Sequence, residues 1–528
     1  MGSQIVPPNS PNGNSQINPW IVAVAVMFAT FMEVLDITVV NVSLPHIAGS
    51  LSASVNEATW TLTSYLVANA IVLPLTGWLA NYFGRKRLLI SSVIGFTVAS
   101  FLCGLAPNLS YLIVFRIVQG ATGGCLQPLS QAVLLEAFPI SDRGKAMAFW
   151  ALGIVVAPML GPVIGGWLTD NYSWRWVFYV NVPIGIISVV MCTLYLFDPP
   201  YIRRRISESV DYWGLGLLAV GIGALQIVLD KGQEADWFGS RWVVDLLIIA
   251  LVALTVFVIH ELRSRHPVVD LRVLKTPTYG TGVLLLAVTA FGLFGSMVMI
   301  PIMLQTLLGY PAVDAGIAMF PRGLGAFLMM PVVGVLLGWR WIDSRKLVAC
   351  GAIGVATAMY FLSRLNLNMG YWDIFWPQLL QGLMTAWIFV PLTTITMDPI
   401  PLEGMGNATS IFNLMRNIGG SIGIATVTTL QVRSMQAHIN LLGANVTPFN
   451  STAQSMVSRL RASFIAKGSD PVTATHQAYR AVFNIVERQA SMISFNEVFT
   501  TLSLIFLGLL PLILILRRPH HERPTATH

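Results

Sequence analysis

The sequence predicts an all-α integral membrane protein of about 14 transmembrane helices, arranged as two six-helix bundles with two further helices inserted between them. Three observations predict it. Of 528 residues, 55% are hydrophobic and only 10% are charged, where a soluble domain carries roughly 25% charged residues. Apolar runs of the length needed to cross a bilayer, about 20 residues each, follow one another almost end to end. The chain also repeats itself at an offset of 262 residues. These runs are unbroken rather than alternating in ten-residue segments, so helices and not barrel strands do the spanning.

Charges and Gly, Pro and Asn clusters bound spans 1 to 7 near 20–42, 58–80, 88–106, 111–137, 146–168, 177–197 and 212–229. Spans 8 to 14 lie near 242–261, 279–300, 311–338, 347–365, 372–397, 405–432 and 497–516. Sidedness follows from Lys and Arg in short loops, because translocation disfavours positive charge beside a span. Loops after even-numbered spans carry Arg85, Lys86, Arg87, Arg143, Lys145, Arg203, Arg204, Arg205, Arg263, Arg265, Arg272, Lys275, Arg340, Arg345 and Lys346, and the C-terminal tail adds Arg517, Arg518 and Arg523. Short loops after odd-numbered spans hold Arg175, Lys231, Arg241 and Arg364. Both termini are therefore expected in the cytoplasm, although the loop between spans 12 and 13 has Asp398 and Glu403 and no basic residue. The net charge of +7 reads as topology, since no basic cluster is interleaved with aromatics as nucleic-acid binding requires.

The repeat sets the domain order. RIVQG at 116–120 in span 4 matches QLLQG at 378–382 in span 12, and the same offset places Gly161 on Gly423. The expected units are a flexible tail (1–19), a first bundle (20–197), two inserted helices (198–278), a second bundle (279–516) and a tail (517–528). Repeated bundles with a site between them are the architecture of alternating-access transporters. One segment, 434–496, is far longer than a helix connection needs and is expected on the outer face. Met456, Leu460 and Phe464 recur at helical spacing there, as do Tyr479, Val482, Phe483 and Val486 after an Asp470-Pro471 start signal, giving two short amphipathic helices.

Some chemistries are excluded or unsupported. Cys103, Cys125, Cys192 and Cys350 are far apart inside apolar runs, without metal-ligand spacing. The first 19 residues lack Lys and Arg, unlike a cleavable signal. An embedded enzyme needs a nucleophile and base or a metal cluster, and neither pattern is present. A channel calls for polar rings from repeated subunits, whereas this chain builds two unequal halves.

Five ionisable residues sit well inside spans: Glu33, Asp36, Arg116, Arg322 and Arg416. Each costs roughly 2.5–3.5 kcal/mol at mid-membrane on the insertion scale, so they are expected to face the protein interior. Glu33 and Asp36 are three residues apart and share a helix face. Asp36 and Arg116 lie about 10 and 9 Å from the outer ends of their spans at 1.5 Å per residue, so they are level and able to pair. A proton-coupling role and a static ion pair that orders the bundle both fit. Arg322 and Arg416 read as structural or gating residues, with Asn413 one turn before Arg416.

Four segments carry a resemblance: LDITVVNVSLP (35–45), GWLANYFGRKR (77–87), LIVFRIVQG (112–120) and GIVVAPMLGPVIGG (153–166). In this order they resemble the signature segments of the fourteen-helix drug:proton antiporters of the major facilitator superfamily, the EmrB/QacA type. WRWVFYVNVPIG (174–185), LDKGQEADWF (229–238) and FNEVF (495–499) resemble its EmrB branch. The resemblance implies export of hydrophobic toxic compounds by proton antiport, with no cofactor beyond the proton gradient. It further implies residence in the inner membrane of a Gram-negative bacterium, a periplasmic membrane-fusion adaptor and a TolC-type outer-membrane channel. Export of one specific metabolite, such as a siderophore or an antibiotic, is the alternative within the same fold.

Each motif also has a physical reading. Gly77 permits close helix approach. Asn81 and Tyr82 stand where the family pattern has Asp and usually Arg, which leaves Arg85 to reach Glu136 or Asp142. Gly153, Ala157 and Gly161 form a small-residue face for tight packing, and Pro158 and Pro162 can kink their helix. A substrate cavity between the bundles is expected along Phe291, Phe294, Met297 and Met299 with Gln305 near the outer end, because Met and aromatics adapt to varied apolar shapes. Such a stripe also suits ordinary packing.

Overall fold

A computed structural model describes residues 18–139, 142–198, 211–338 and 343–516. Most of the expected N-terminal tail, the C-terminal tail with Arg517, Arg518 and Arg523, and the loop residues Arg203, Arg204, Arg205 and Arg340 lie outside them. Helices joined by short connections make up the described chain, with no strand among the described residues. The first bundle consists of α1 (Pro19–Ser50), α2 (Asn56–Phe83), α3 (Arg85–Leu105), α4 (Leu109–Ala137), α5 (Arg143–Asn171) and α6 (Trp176–Tyr195). The inserted pair is α7 (Tyr212–Lys231) and α8 (Arg241–Arg263). The second bundle contains α9 (Pro277–Leu307), α10 (Asp314–Leu336), α11 (Ser344–Leu362), α12 (Tyr371–Met397), α13 (Met405–Gly443) and α15 (Pro471–Ile515). The short α14 (Ser451–Ala466) joins the last two.

Local chemistry sets the starts. Asn18, Asn108, Asp211, Asp343 and Asp470 each cap a helix, their side chains accepting from free N–H groups of the first turn. Gly84, at φ +88°, makes the turn from α2 into α3 that a residue with a side chain adopts only under strain.

Thirteen described helices are long and apolar enough to cross a membrane. The remaining expected span is α13, whose Asn, Ser, Thr, Arg and Gly residues dilute its hydropathy while it packs on α9, α15 and α4. The sequence places the ends of spans 13 and 14 where hydropathy falls, but the helices continue: α13 runs on to Gly443 and α15 begins at Pro471. Hydropathy reports where lipid ends and not where a helix ends. The second short helix expected within 434–496 is therefore the first part of α15. No Gly or Pro interrupts residues 472–507, so the helix has no cause to break. The first short helix is α14, and Val457, Leu460 and Phe464 pack on Ala478 and Val482 of α15.

In the first bundle α1 packs on α4, α5 and α6, and α4 also packs on α2 and α3. In the second, α9 packs on α13 and α15, α12 on α10 and α11, and α11 on α15. The bundles meet where α5 contacts α10 and α12, and where α13 contacts α4 and the end of α2. At the face bearing Arg85 the approach is backbone to backbone. A Cβ on Gly77 would lie 2.7 Å from the Asn407 nitrogen, and the Gly77 N–H donates to Ser410 Oγ at 3.0 Å. The inserted α7 seats against both halves. Its Asp230 and Lys231 bond Thr63 and Thr59 of α2, and Gln226 bonds Ser421 of α13.

Candidate functional site: a buried polar cluster in the first bundle

The α1 helix carries Glu33 and Asp36 one turn apart, 2% and 0% exposed. Arg116 of α4 is also 0% exposed. Its Nη1 donates to Asp36 Oδ2 at 2.5 Å and to Gln119 Oε1 at 2.9 Å, and its Nε donates to the Thr61 carbonyl at 3.0 Å. The guanidinium also lies 4.2 Å from the centroid of the Tyr65 ring on α2, within cation–π range. Asp36 Oδ1 accepts from Gln119 Nε2 at 2.9 Å and from Asn181 Nδ2 of α6 at 2.7 Å. Asn181 also donates to Ser100 of α3. Asp36 is thus held directly by α4 and α6, through partners that reach α2 and α3.

Glu33 sits in a looser setting. Its Oε1 accepts from Asn69 Nδ2 at 2.9 Å, while Oε2 is buried without a hydrogen bond of good geometry. Gln127 of α4 lies beside it, and Arg416 of α13 donates to Gln127 Oε1. One turn away Asn413 donates to Gln131 Oε1 at 2.6 Å. The chain of contacts from Glu33 through Gln127 to Arg416 therefore crosses from one bundle to the other. Arg416 also lies 6.0 Å from the Trp150 ring centroid.

The remaining sequence-derived residues fall in several places. Arg85 forms a buried ion pair with Glu136, tying the start of α3 to the end of α4. Gly153 abuts Met27, and Gly161 leaves no room for a Cβ beside Thr38, so α5 lies close along α1. Pro158 and Pro162 lie within α5, with Pro162 facing Gly316 across the bundle seam. Phe291 and Phe294 meet α13 at Gly423 and Gly420. Met297 is partly buried, Met299 lies in the packed core, and Gln305 is exposed near the end of α9. Arg322 donates to the Leu293 carbonyl at 3.2 Å.

Asn69, Gln119, Gln127 and Asn181 belong to this network, and no charge in the sequence marks them. Their signal is position: each is an amide inside an apolar span, and Gln119 follows Arg116 by three residues on one helix face.

A family model described as Major Facilitator Superfamily matches residues 26–424. The chain belongs to the Major Facilitator Superfamily. Within the superfamily it is 39% identical to the multidrug export protein EmrB of Haemophilus influenzae, over 94% of this chain and 96% of that one. It is likewise 39% identical to EmrB of Escherichia coli K12, over 94% and 95%, and 38% identical to the fatty acid resistance protein FarB of Neisseria gonorrhoeae, over 95% and 96%. Among solved superfamily folds it is similar to the human organic anion transporter MFSD10, with a TM-score of 0.61 at 13% identity, covering 94% of this chain and 99% of that one. As a superfamily member with 13 described helices apolar enough to span, it is a multi-pass membrane transporter.

Proposed function

We propose that this chain exports hydrophobic toxic compounds by alternating access, driven by inward proton movement, with the Asp36, Glu33 and Arg116 cluster as the proton site. The observation that carries the coupling is the buried pairing of Asp36 with Arg116, one helix turn from a second buried carboxylate that no cation among the described residues pairs directly and that one well-formed hydrogen bond, from Asn69, holds. A carboxylate pair of this kind can change charge without moving the backbone. Glu33 is the member with room for a proton, because Asp36 is already bonded through both oxygens. Its contact through Gln127 with Arg416 gives a protonation change at α1 a path to the second bundle. The export reading draws on the multidrug export relatives, which match along nearly the whole chain.

On this reading the protein sits in a bacterial inner membrane with both termini in the cytoplasm, which makes the face bearing Arg85 the cytoplasmic one. The energy source is the proton gradient, with no cofactor. The α14 helix and the protruding ends of α13 and α15 then lie in the periplasm, where they dock the membrane-fusion adaptor of a tripartite pump with a TolC-type channel. The test is efflux from proteoliposomes under an imposed pH gradient, with a panel of structurally unrelated hydrophobic drugs. Movement of several drugs that collapses with the gradient supports the reading. Movement of a single compound supports the specific-metabolite alternative, and gradient-independent movement refutes proton coupling.

A further inference from the structure

The second bundle has its own polar cluster, and it lacks the carboxylate of the first. Gln119 and Gln381, 262 residues apart, behave alike: Gln119 Nε2 donates to Asp36 on α1 at 2.9 Å, and Gln381 Nε2 donates to Ser296 on α9 at 2.9 Å. The glycines that follow them match as well. A Cβ on Gly120 would strike the carbonyl of Tyr65 on α2, and one on Gly382 the carbonyl of Arg322 on α10. Arg322 thus stands where the first bundle has Tyr65, Gln378 where it has Arg116, and the Ser296 hydroxyl where it has the Asp36 carboxylate.

The result is a cation without its counter-ion. Among the described residues no carboxylate pairs with Arg322. Its Nη1 is buried without an acceptor, both amide atoms of Gln378 are unengaged, and so is Gln381 Oε1. Gln378 and Gln381 are 0% exposed, whereas Arg322 keeps partial exposure. The next residue, Gly323, presses on Met159 of α5, so the cluster borders the seam between the bundles. Buried polar atoms are ordinarily bonded, and a buried charge is ordinarily paired.

We propose that Arg322, with Gln378 and Gln381, binds the carboxylate of an amphipathic organic acid carried as substrate, the acid's apolar body lying in the seam between the bundles. A planar guanidinium matches a carboxylate through two parallel N–H donors, and the Gln378 amide adds a third. The arriving anion neutralises Arg322 as Asp36 neutralises Arg116. The inference rests on the export reading and names one of its substrate classes.

The test compares 1-pyrenebutyrate with its methyl ester, which keeps the apolar body and removes the charge. Binding of each to the purified protein in nanodiscs is measured, alongside gradient-driven ethidium efflux from proteoliposomes. The acid is expected to bind the wild type at least tenfold more tightly than the ester. Arg322→Gln should bring that preference within twofold, and Arg322→Lys should keep part of it. Ser296→Asp, which supplies an internal counter-ion, should abolish it. If Arg322→Gln does not fold, as judged by thermal melting, the wild-type comparison and Ser296→Asp decide the matter. Equal binding of acid and ester by the wild type, or an undiminished preference in Ser296→Asp, overturns the site. Ethidium efflux without acid preference refutes the site and spares the export reading; acid preference without any efflux does the reverse.

Discussion

Arg416 of α13 donates to Gln127 of α4, so a side chain of one bundle is bonded into the other within reach of Glu33. The contact uses Nη2 of a guanidinium that also lies over the face of Trp150. Lysine keeps the charge but loses the planar fork and its stacking. Arg416→Lys is therefore expected to lower transport about tenfold, and Arg416→Ala more, at unchanged amounts of protein in the membrane. Normal drug efflux by Arg416→Ala in proteoliposomes would show that the contact is dispensable.

Breaking the Asp36–Arg116 pair on one side leaves the other charge buried, a loss of about 3–5 kcal/mol for an interior ion pair. Arg116→Gln alone should therefore lower the unfolding temperature in detergent, and the double variant Asp36→Asn with Arg116→Gln should recover at least half of that loss. Equal melting of the two variants would mean that the pair carries little structural weight. Function separates differently. Asp36→Asn with Glu33→Gln should abolish gradient-driven efflux while drug binding remains measurable, and full gradient-driven efflux by this double variant would sink the proton-site assignment.

How far the sequence reaches is clearest at these residues. The level placement of Asp36 and Arg116 follows from helix rise alone, and the structure pairs them. Composition and the positions of charges also suffice to find the spans. Amide partners such as Asn181 and Gln127 are another matter. Which neighbour an amide meets depends on helix rotation and crossing, and those are settled by packing between elements distant in sequence. The protruding ends of α13 and α15 were hidden for a different reason: a helix that leaves lipid changes its composition without changing its backbone.

Gly77 makes a close backbone contact between the bundles at the face bearing Arg85, and it has no space for a side chain against Asn407 and Gly406. Gly77→Val should hold that face apart. Spin labels placed on the Arg85-bearing ends of α2 and α13 should report a longer distance, and efflux should fall below about a tenth of the wild type, since packed interfaces do not absorb an added side chain without shifting. An unchanged distance distribution with normal efflux would show that the contact opens and closes without needing the glycine.

The segment between α13 and α15 is where an external partner is expected, and its packing refines where to look. The inward face of α14 is already used: Val457, Leu460 and Phe464 are packed against Ala478 and Val482. Among the apolar side chains left outward are Met456 on α14 and Tyr479 and Phe483 on α15, 38%, 49% and 51% exposed. A groove lined by Ile439, Val446, Tyr479, Phe483 and Val486 lies between the protruding ends of α13 and α15. An adaptor helix with an apolar face would bury these together, so the loss should be concentrated there. Joining Gly443 to Pro471 by a short Gly/Ser linker removes α14 and leaves both long helices intact. Efflux by the purified protein in proteoliposomes should then stay within twofold of the wild type, whereas adaptor crosslinking and whole-cell drug resistance should be lost. The pair Tyr479→Ser and Phe483→Ser should weaken adaptor capture in the same direction without removing any helix. If the shortened protein still captures the adaptor at the wild-type level, α14 is no part of the docking surface and serves only to cover the apolar faces of the helices it joins; capture that also survives Tyr479→Ser with Phe483→Ser would exclude the groove between α13 and α15 as well.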